Sequence, residues 1–229
     1  MANTNNCTNC GSENPYYQLK CNKCHSFIRR RVVNIELWEN IGKVIESPSK
    51  AFENIIFAEH KNFLILMMFL FGLTIFADLN LVSNILFEES ILFTALISFG
   101  IIIGLGFLNA ILIKILFSAF NTKTRFLDNY YLSVFANVPQ ILSLILFLPV
   151  QFALFGEFWF TFNPSPFLIK AAQAYIIIGL EIILILWSVI LTFVGFNVTA
   201  KSYLQSLFAT LLTIFMTYLL PLFLIYNLF

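Results

Sequence analysis

The chain has 229 residues, 59% of them hydrophobic and 17% aromatic but only 11% charged, with a mean hydropathy of +0.86. That composition excludes a soluble globular domain and places the chain in the membrane class. The formal net charge of +1 hides an asymmetry, because eight of the thirteen Lys and Arg precede residue 62.

Residues 1–34 are polar and lack an apolar stretch of the kind a secretory signal carries, so export of the N-terminus is not expected. All four cysteines lie here, as Cys7-x2-Cys10-x10-Cys21-x2-Cys24. Each Cys-x2-Cys pair can grip one ion from a tight turn, and two such turns close a tetrahedral four-thiolate site, so the pattern predicts a structural zinc ribbon. Two disulfides or a redox-active pair are the competing readings. Disulfides need an oxidising side, and a redox pair usually opens a helix in a βαβ unit that is missing here. His25 follows Cys24 and is either a substitute ligand or a bystander; four sulfurs already complete the shell. A closed shell has no open coordination position for catalysis. Residues 1–27 hold few large apolar side chains, so metal would supply most of the folding free energy, roughly 10 kcal/mol or more. Arg29, Arg30 and Arg31 then read either as a solvated basic linker or as a surface attracted to anionic headgroups.

In residues 31–61, Ile35, Trp38, Ile41 and Ile45 recur at helical spacing against Glu36, Glu39, Asn40 and Lys43, predicting an amphipathic helix with Trp38 on its apolar face. Ser47-Pro48 reads as an N-cap with Pro at the first helical position, restarting a helix whose apolar positions are Ala51, Phe52, Ile55 and Ile56. Two helices along the membrane surface are expected, with Trp38 and Phe52 at the interface; a soluble helical hairpin is the alternative.

A hydrocarbon core about 30 Å thick needs roughly 20 apolar residues per helix. Five stretches in 62–229 qualify, at about residues 62–81, 91–117, 130–155, 167–196 and 204–228. Pro139 and Pro149 divide the third, which suggests an interfacial piece leading into a shorter, kinked span. Connections after the first and third stretches carry Asp78, Glu88, Glu89 and Glu157, whereas those after the second and fourth carry Lys123, Arg125 and Lys201. The positive-inside rule therefore predicts a cytoplasmic N-terminus and puts Phe229 on the opposite side. Lys170 and Lys114 can snorkel from span ends. The expected fold is an all-α integral membrane protein: a five-helix bundle preceded by amphipathic interfacial helices (31–61) and a four-cysteine zinc ribbon with its basic linker (1–30).

Glu181 falls midway along the fourth stretch, where a charged carboxylate costs roughly 3 kcal/mol on insertion scales. Ala174, Glu181, Ser188 and Gly195 recur every seven residues, a small and polar stripe that should face the bundle. Either Glu181 carries protons or ions, or it is one buried carboxyl bonded to a neighbouring helix. Asn109, Asn137 and Gln173 are the other obvious intramembrane polar residues. Gly100-x3-Gly104 and Gly106-x3-Ala110 permit close helix approach, within one chain or in a homo-oligomer.

The segment Ser47-Pro48-Ser49-Lys50-Ala51-Phe52-Glu53-Asn54-Ile55 ahead of five spans is similar to the start of the Yip1 family's domain. Residues 122–139, a basic and aromatic loop running into a proline, and Trp187-x3-Leu191-x3-Gly195 with Thr199-Ala200-Lys201, resemble it further. The resemblance covers roughly residues 40–225 and implies five spans with a cytoplasmic N-terminus. Eukaryotic members are linked to vesicle traffic and Rab-type GTPases, but their Asp-Leu-x-Gly-Pro element has no counterpart, since Asp78-Leu79-Asn80 lacks Gly-Pro. The appended zinc ribbon looks more like prokaryotic relatives, which implies a bacterial cytoplasmic (inner) membrane.

With no nucleophile and base pair inside the spans, an enzyme is not expected. The leading expectation is a membrane scaffold whose zinc-ribbon head recruits a cytoplasmic protein partner. A small solute or proton-coupled transporter using Glu181 is the alternative. Lys20, Lys23 and the three arginines lend the head basic character, yet it is tiny and tethered, so nucleic acid is not the expected partner.

Overall fold

The computed structural model describes residues 3–86, 91–221 and 223–224. Glu88, Glu89 and Phe229 lie outside the described residues, as do the side chains of Asp78, Leu79 and Asn80.

Two short antiparallel strands, β1 (Thr4–Asn6) and β2 (Glu13–Pro15), pair with Asn5 opposite Asn14 and form the base of the cysteine-bearing head. A strap leaves the head and runs beside the exit of the second helix. There Val32 bridges Ala58 in parallel, and the amides of Glu59 and His60 each donate to the carbonyls of Val32 and Val33 at 3.0 Å. Asn62 closes this zipper by accepting from the Ile35 amide at 2.8 Å and donating to its carbonyl at 2.9 Å. Residues 32–35, expected within the amphipathic juxtamembrane segment, thus form an extended strap whose Val32 and Val33 carbonyls are satisfied by the chain beside it.

Helices α1 (Leu37–Glu46) and α2 (Pro48–Phe57) form a hairpin with Pro48 in the first turn of α2. The Ser47 side chain makes no capping bond; its backbone amide instead closes α1 on the Lys43 carbonyl at 2.8 Å. The two helices part company in burial. On α1, Asn40 and Val44 are buried while Trp38 is 81% exposed. On α2, Ala51, Phe52, Ile55 and Ile56 are all buried, with the Phe52 ring so near Gly195 that a Cβ there would meet it at 3.4 Å. Phe52, expected at the membrane interface, is a core residue. Spacing predicts an apolar face, but what covers that face depends on distant elements, here the helices over Phe126–Phe135 and Ala171–Ala200.

The long helices are α3 (Leu64–Leu86), α4 (Ile91–Ala119), α6 (Val138–Phe155), α9 (Ala171–Ala200) and α10 (Tyr203–Ile214), the last continuing as a π-turn over Phe215–Leu219. Short α5 (Phe126–Phe135) precedes α6, and α7 (Phe158–Thr161) and α8 (Pro166–Ile169) lie between α6 and α9. Pro139 takes the first turn of α6, and Pro149 sits inside it without ending it. The fourth helix begins at Ala171, not at 167, because Pro166 and Phe167 belong to α8. Among the described residues, three stretches are long and apolar enough to cross a membrane: Ser98–Ala119, Phe126–Phe155 and Ala171–Ala200. Leu64–Ala77 and Tyr203–Leu219 are shorter apolar helices.

Helix α9 packs against α2, α6 and α10, while α4 packs against α3, α5 and α10. At Gly106 a Cβ would approach the Tyr130 ring to 2.9 Å, so that glycine admits a helix neighbour. Gly100 and Gly104 do not, since among the described residues nothing lies within 4 Å of their Cβ positions. Their spacing resembles a packing motif, but α4 turns that face away from its own chain.

Phe52→Ala should lower the thermal midpoint of the detergent-solubilised protein, costing about 3–5 kcal/mol as a fully buried aromatic. Trp38→Ala should leave that midpoint unchanged. Equal effects would mean that α2 is not part of the core.

Candidate metal centre and intramembrane polar sites

The head contains a repeat: Cys7-Thr8-Asn9-Cys10-Gly11-Ser12 and Cys21-Asn22-Lys23-Cys24-His25-Ser26. Each copy makes the same knuckle. Gly11 and His25 donate their amides to the carbonyls of Cys7 and Cys21 at 2.9 and 3.1 Å, and Cys7 and Cys21 donate theirs to Ser12 and Ser26, both at 2.9 Å. Both Gly11 (φ 68°) and His25 (φ 59°) adopt the left-handed conformation that turns each knuckle. His25 therefore holds the backbone position of Gly11 and stands outside the ligand cluster.

All four sulfurs lie within 4.8 Å of one another, with Cys7 and Cys24 at 3.6 Å and Cys10 and Cys21 at 3.5 Å. A disulfide needs about 2.05 Å, and every cysteine is free. Four thiolates about 2.3 Å from a central ion stand about 3.8 Å apart, so this cluster could hold a metal ion of that size. Ser12 and Ser26, which the spacing argument passed over, complete it. The Ser12 hydroxyl lies 3.1 Å from the Cys10 sulfur and 3.0 Å from that of Cys21; Ser26 lies 3.2 and 3.0 Å from those of Cys7 and Cys24. The Ser12 hydroxyl, followed by backbone amides, holds the Cys21 thiol down at about 5, and Ser26 likewise lowers that of Cys24. Hydroxyls placed this way stabilise thiolates, the form that binds metal. Their positions were readable as the Ser two places after the second cysteine of each pair.

The head is not a free appendage. The Tyr16 hydroxyl donates to Glu53 at 2.5 Å, its ring centroid lies 5.2 Å from that of Phe57, and the Lys201 ammonium sits 3.8 Å above it. The Asn3 amide donates to the Thr199 carbonyl at the end of α9. Arg29 donates to the carbonyls of Tyr17 (2.7 Å) and Phe57 (3.1 Å) and stacks on the Phe57 ring, while Arg31 pairs with Glu59 at 2.9 Å. Two of the three linker arginines are thereby committed within the fold. Beside them, Asp128 is 1% exposed and ion-paired to Lys61 and Arg125, each at 2.8 Å. No local pattern marks Asp128, because Lys61 is supplied from far along the chain.

Inside the bundle, Glu181 accepts from the Gln151 amide at 2.5 Å and lines a cavity of about 100 Å³ with Gln140, Ser143 and Thr74. Asn109 is elsewhere, donating to Ser133 at 3.3 Å and Thr213 at 3.1 Å. The gap between them is bridged from α6 and the π-turn: Gln140 donates to the Tyr218 hydroxyl, which donates to Asn137 at 3.2 Å, and Asn137 donates to the Ser133 carbonyl at 2.7 Å. Ser188 is buried beside neither group, and its hydroxyl has no hydrogen-bond partner among the described residues. Ala174, Ser188 and Gly195 are buried and Glu181 half-buried, so the stripe does face inward, whereas Gln173 is exposed. The polar set is larger than the sequence suggests, because Gln140, Gln151 and Tyr218 sit among apolar neighbours and count as polar only once they converge.

Ser12→Ala and Ser26→Ala should each weaken metal binding about 10–100-fold in competition with a chromogenic chelator. Because the Cys21 thiol is lowered in the folded head, its thiolate persists at neutral pH and is lost as the pH falls through about 5. Ser12→Ala removes the bond that lowers this thiol, so it should move metal release on acid titration to higher pH. Release at an unchanged pH would show that the hydroxyl does not tune the thiolates.

Neither the curated proteins nor the solved structures contain a match to the chain. The family model of the Yip1 domain matches residues 42–226, from α1 through the end of the described π-turn and beyond. That stretch holds every apolar helix described above, which makes the chain an integral membrane protein whose helices lie in a lipid bilayer. The chain belongs to the Yip1 domain family, with a four-cysteine head added ahead of the domain.

Proposed function

We propose that this is a non-enzymatic scaffold of a bacterial cytoplasmic membrane, with five spans and a cytoplasmic head that binds structural zinc and recruits a cytoplasmic protein. The five spans comprise the three long apolar stretches together with the α3 and α10 helices, and the basic residues at the head end support a cytoplasmic N-terminus. The observation that carries the reading is the clamp on Tyr16, which fixes the head against α2 and the end of α9. A head held in one orientation presents a preset surface, and preorganisation strengthens binding without new contacts. Lys20, Lys23 and Phe27 remain exposed on it, Phe27 at 60%, with the Lys20 ammonium over the Phe27 ring.

Replacing Lys20 and Phe27 together by Ala should leave the metal content and thermal midpoint intact and reduce protein capture in native-membrane crosslinking about fivefold or more. Unchanged capture would remove the recruiting role, and capture of nucleic acid in place of protein would change the partner class.

The cavity at Glu181 favours a second reading, transport of protons or a small polar solute. It joins a carboxyl group to a hydrogen-bonded seam that reaches Asn109. Under this reading Glu181→Gln abolishes a flux that the native protein shows in liposomes, whereas equal flux for both forms rejects it.

A further inference from the structure

Between the head and the loop joining α4 to α5, two adjoining cavities of about 360 and 400 Å³ share Tyr17, Lys114 and Thr124. Cations crowd them. Lys61 and Arg125 share the one buried carboxylate of Asp128, and Glu59 is already matched by Arg31. Lys114 and Lys123 line the same space, both exposed, and neither has an ion-pair partner among the described residues. The crowding acts on the cations themselves. Lys61 is held below the ordinary lysine range by burial, with the Arg125 and Arg29 charges adding to the effect and Asp128 opposing it; Arg29 is lowered by burial and then by Arg125. Cations that depress one another around a single carboxylate leave a net positive hollow, which an anion would relieve.

The hollow also has a floor of a particular kind. Lys114 stands near the end of α4, and on that flank Phe107, Ile111 and Ile115 recur every fourth residue, each exposed. They belong to the Ser98–Ala119 stretch, one of the three able to cross a bilayer. A cationic hollow directly continuous with a lipid-facing apolar stripe matches a molecule that carries a phosphate at one end and hydrocarbon at the other.

We propose that this groove binds the headgroup phosphate of an anionic phospholipid through Lys114 and Lys123, with its acyl chains along Phe107, Ile111 and Ile115. Arg125 and Lys61 supply background field from their pairs with Asp128. The site depends on the bundle lying in a membrane and is independent of both the recruiting and the transport readings.

The test uses the full chain with its metal, purified in a neutral detergent and titrated with phosphatidylglycerol, phosphatidylcholine or inorganic phosphate, read by native mass spectrometry and thermal midpoint. Phosphatidylglycerol should bind about tenfold tighter than phosphatidylcholine, an advantage that narrows with added salt. Inorganic phosphate should not raise the midpoint. The exposed pair Lys114→Gln and Lys123→Gln should keep the lipid-free midpoint and lose the preference, while the Lys→Arg pair keeps it. Should the Gln pair prove unstable, Lys123→Gln alone should still halve the preference or more. Equal affinity for the two lipids, a preference that survives the Gln substitutions, or equal stabilisation by inorganic phosphate would each overturn the assignment to a lipid.

Discussion

One buried carboxylate organises the end of the molecule that carries the head. Asp128 is nearly inaccessible, and burial of an ion is tolerated only when its partners are close and its lone pairs are filled. Lys61, just before α3, and Arg125, just before α5, meet that demand. Arg125 then reaches the Ile56 carbonyl at 2.5 Å and stacks 4.9 Å from the Tyr17 ring, so the same cation joins α2 and the head to the α4–α5 loop. Four separate segments are held in register by satisfying one negative charge. The Tyr16 clamp and the strap zipper build outward from this arrangement, and neither would have a fixed base without it.

Against that background the head and the membrane domain form a single mechanical object. The strap's Val32 and Val33 carbonyls accept from Glu59 and His60, and Arg29 and Arg31 direct their donors to carbonyls and a carboxylate within the fold. The small apolar content of the head is supplemented by the Phe57 ring, and Glu53 and Lys201 hold its Tyr16 by a hydrogen bond and a cation over the ring. The cysteine cluster and the membrane domain thus meet within a few residues of each other, through Tyr16 and Tyr17.

What could be read from the sequence was whatever is local. The cysteine cluster, the Pro48 restart, the apolar stretches and the stripe at Ala174, Ser188 and Gly195 depend on spacings of a few residues; the four sulfurs do come together, Pro48 does open its helix, and three of the five expected stretches are long enough to cross a membrane among the described residues. Phe52 and Asp128 were illegible for the opposite reason. An apolar side chain beside a membrane is equally content in lipid or protein, so only Gly195 on a distant helix decides its fate. Likewise an aspartate in a basic loop looks solvated until a lysine 67 positions earlier is seen to enclose it. The polar seam lay between these cases. Its members were visible as Gln, Asn and Tyr, and Pro139 marks the break between α5 and α6, but their alignment also requires the π-turn at Phe215–Leu219, which has no compositional mark.

The bond from Asn3 to Thr199 joins residues 196 positions apart. During synthesis the cysteine head precedes Glu53, and Thr199 and Lys201 follow only after α9 has been made. Contacts of such long range form last, once the chain between them is in place. The docking of the head therefore depends on the far end of α9: without it the head would lack the Thr199 carbonyl and the Lys201 ammonium over the Tyr16 ring. In the folded chain the Tyr16 ring is almost fully covered, so residues up to 196 positions away close the head at the end of α9.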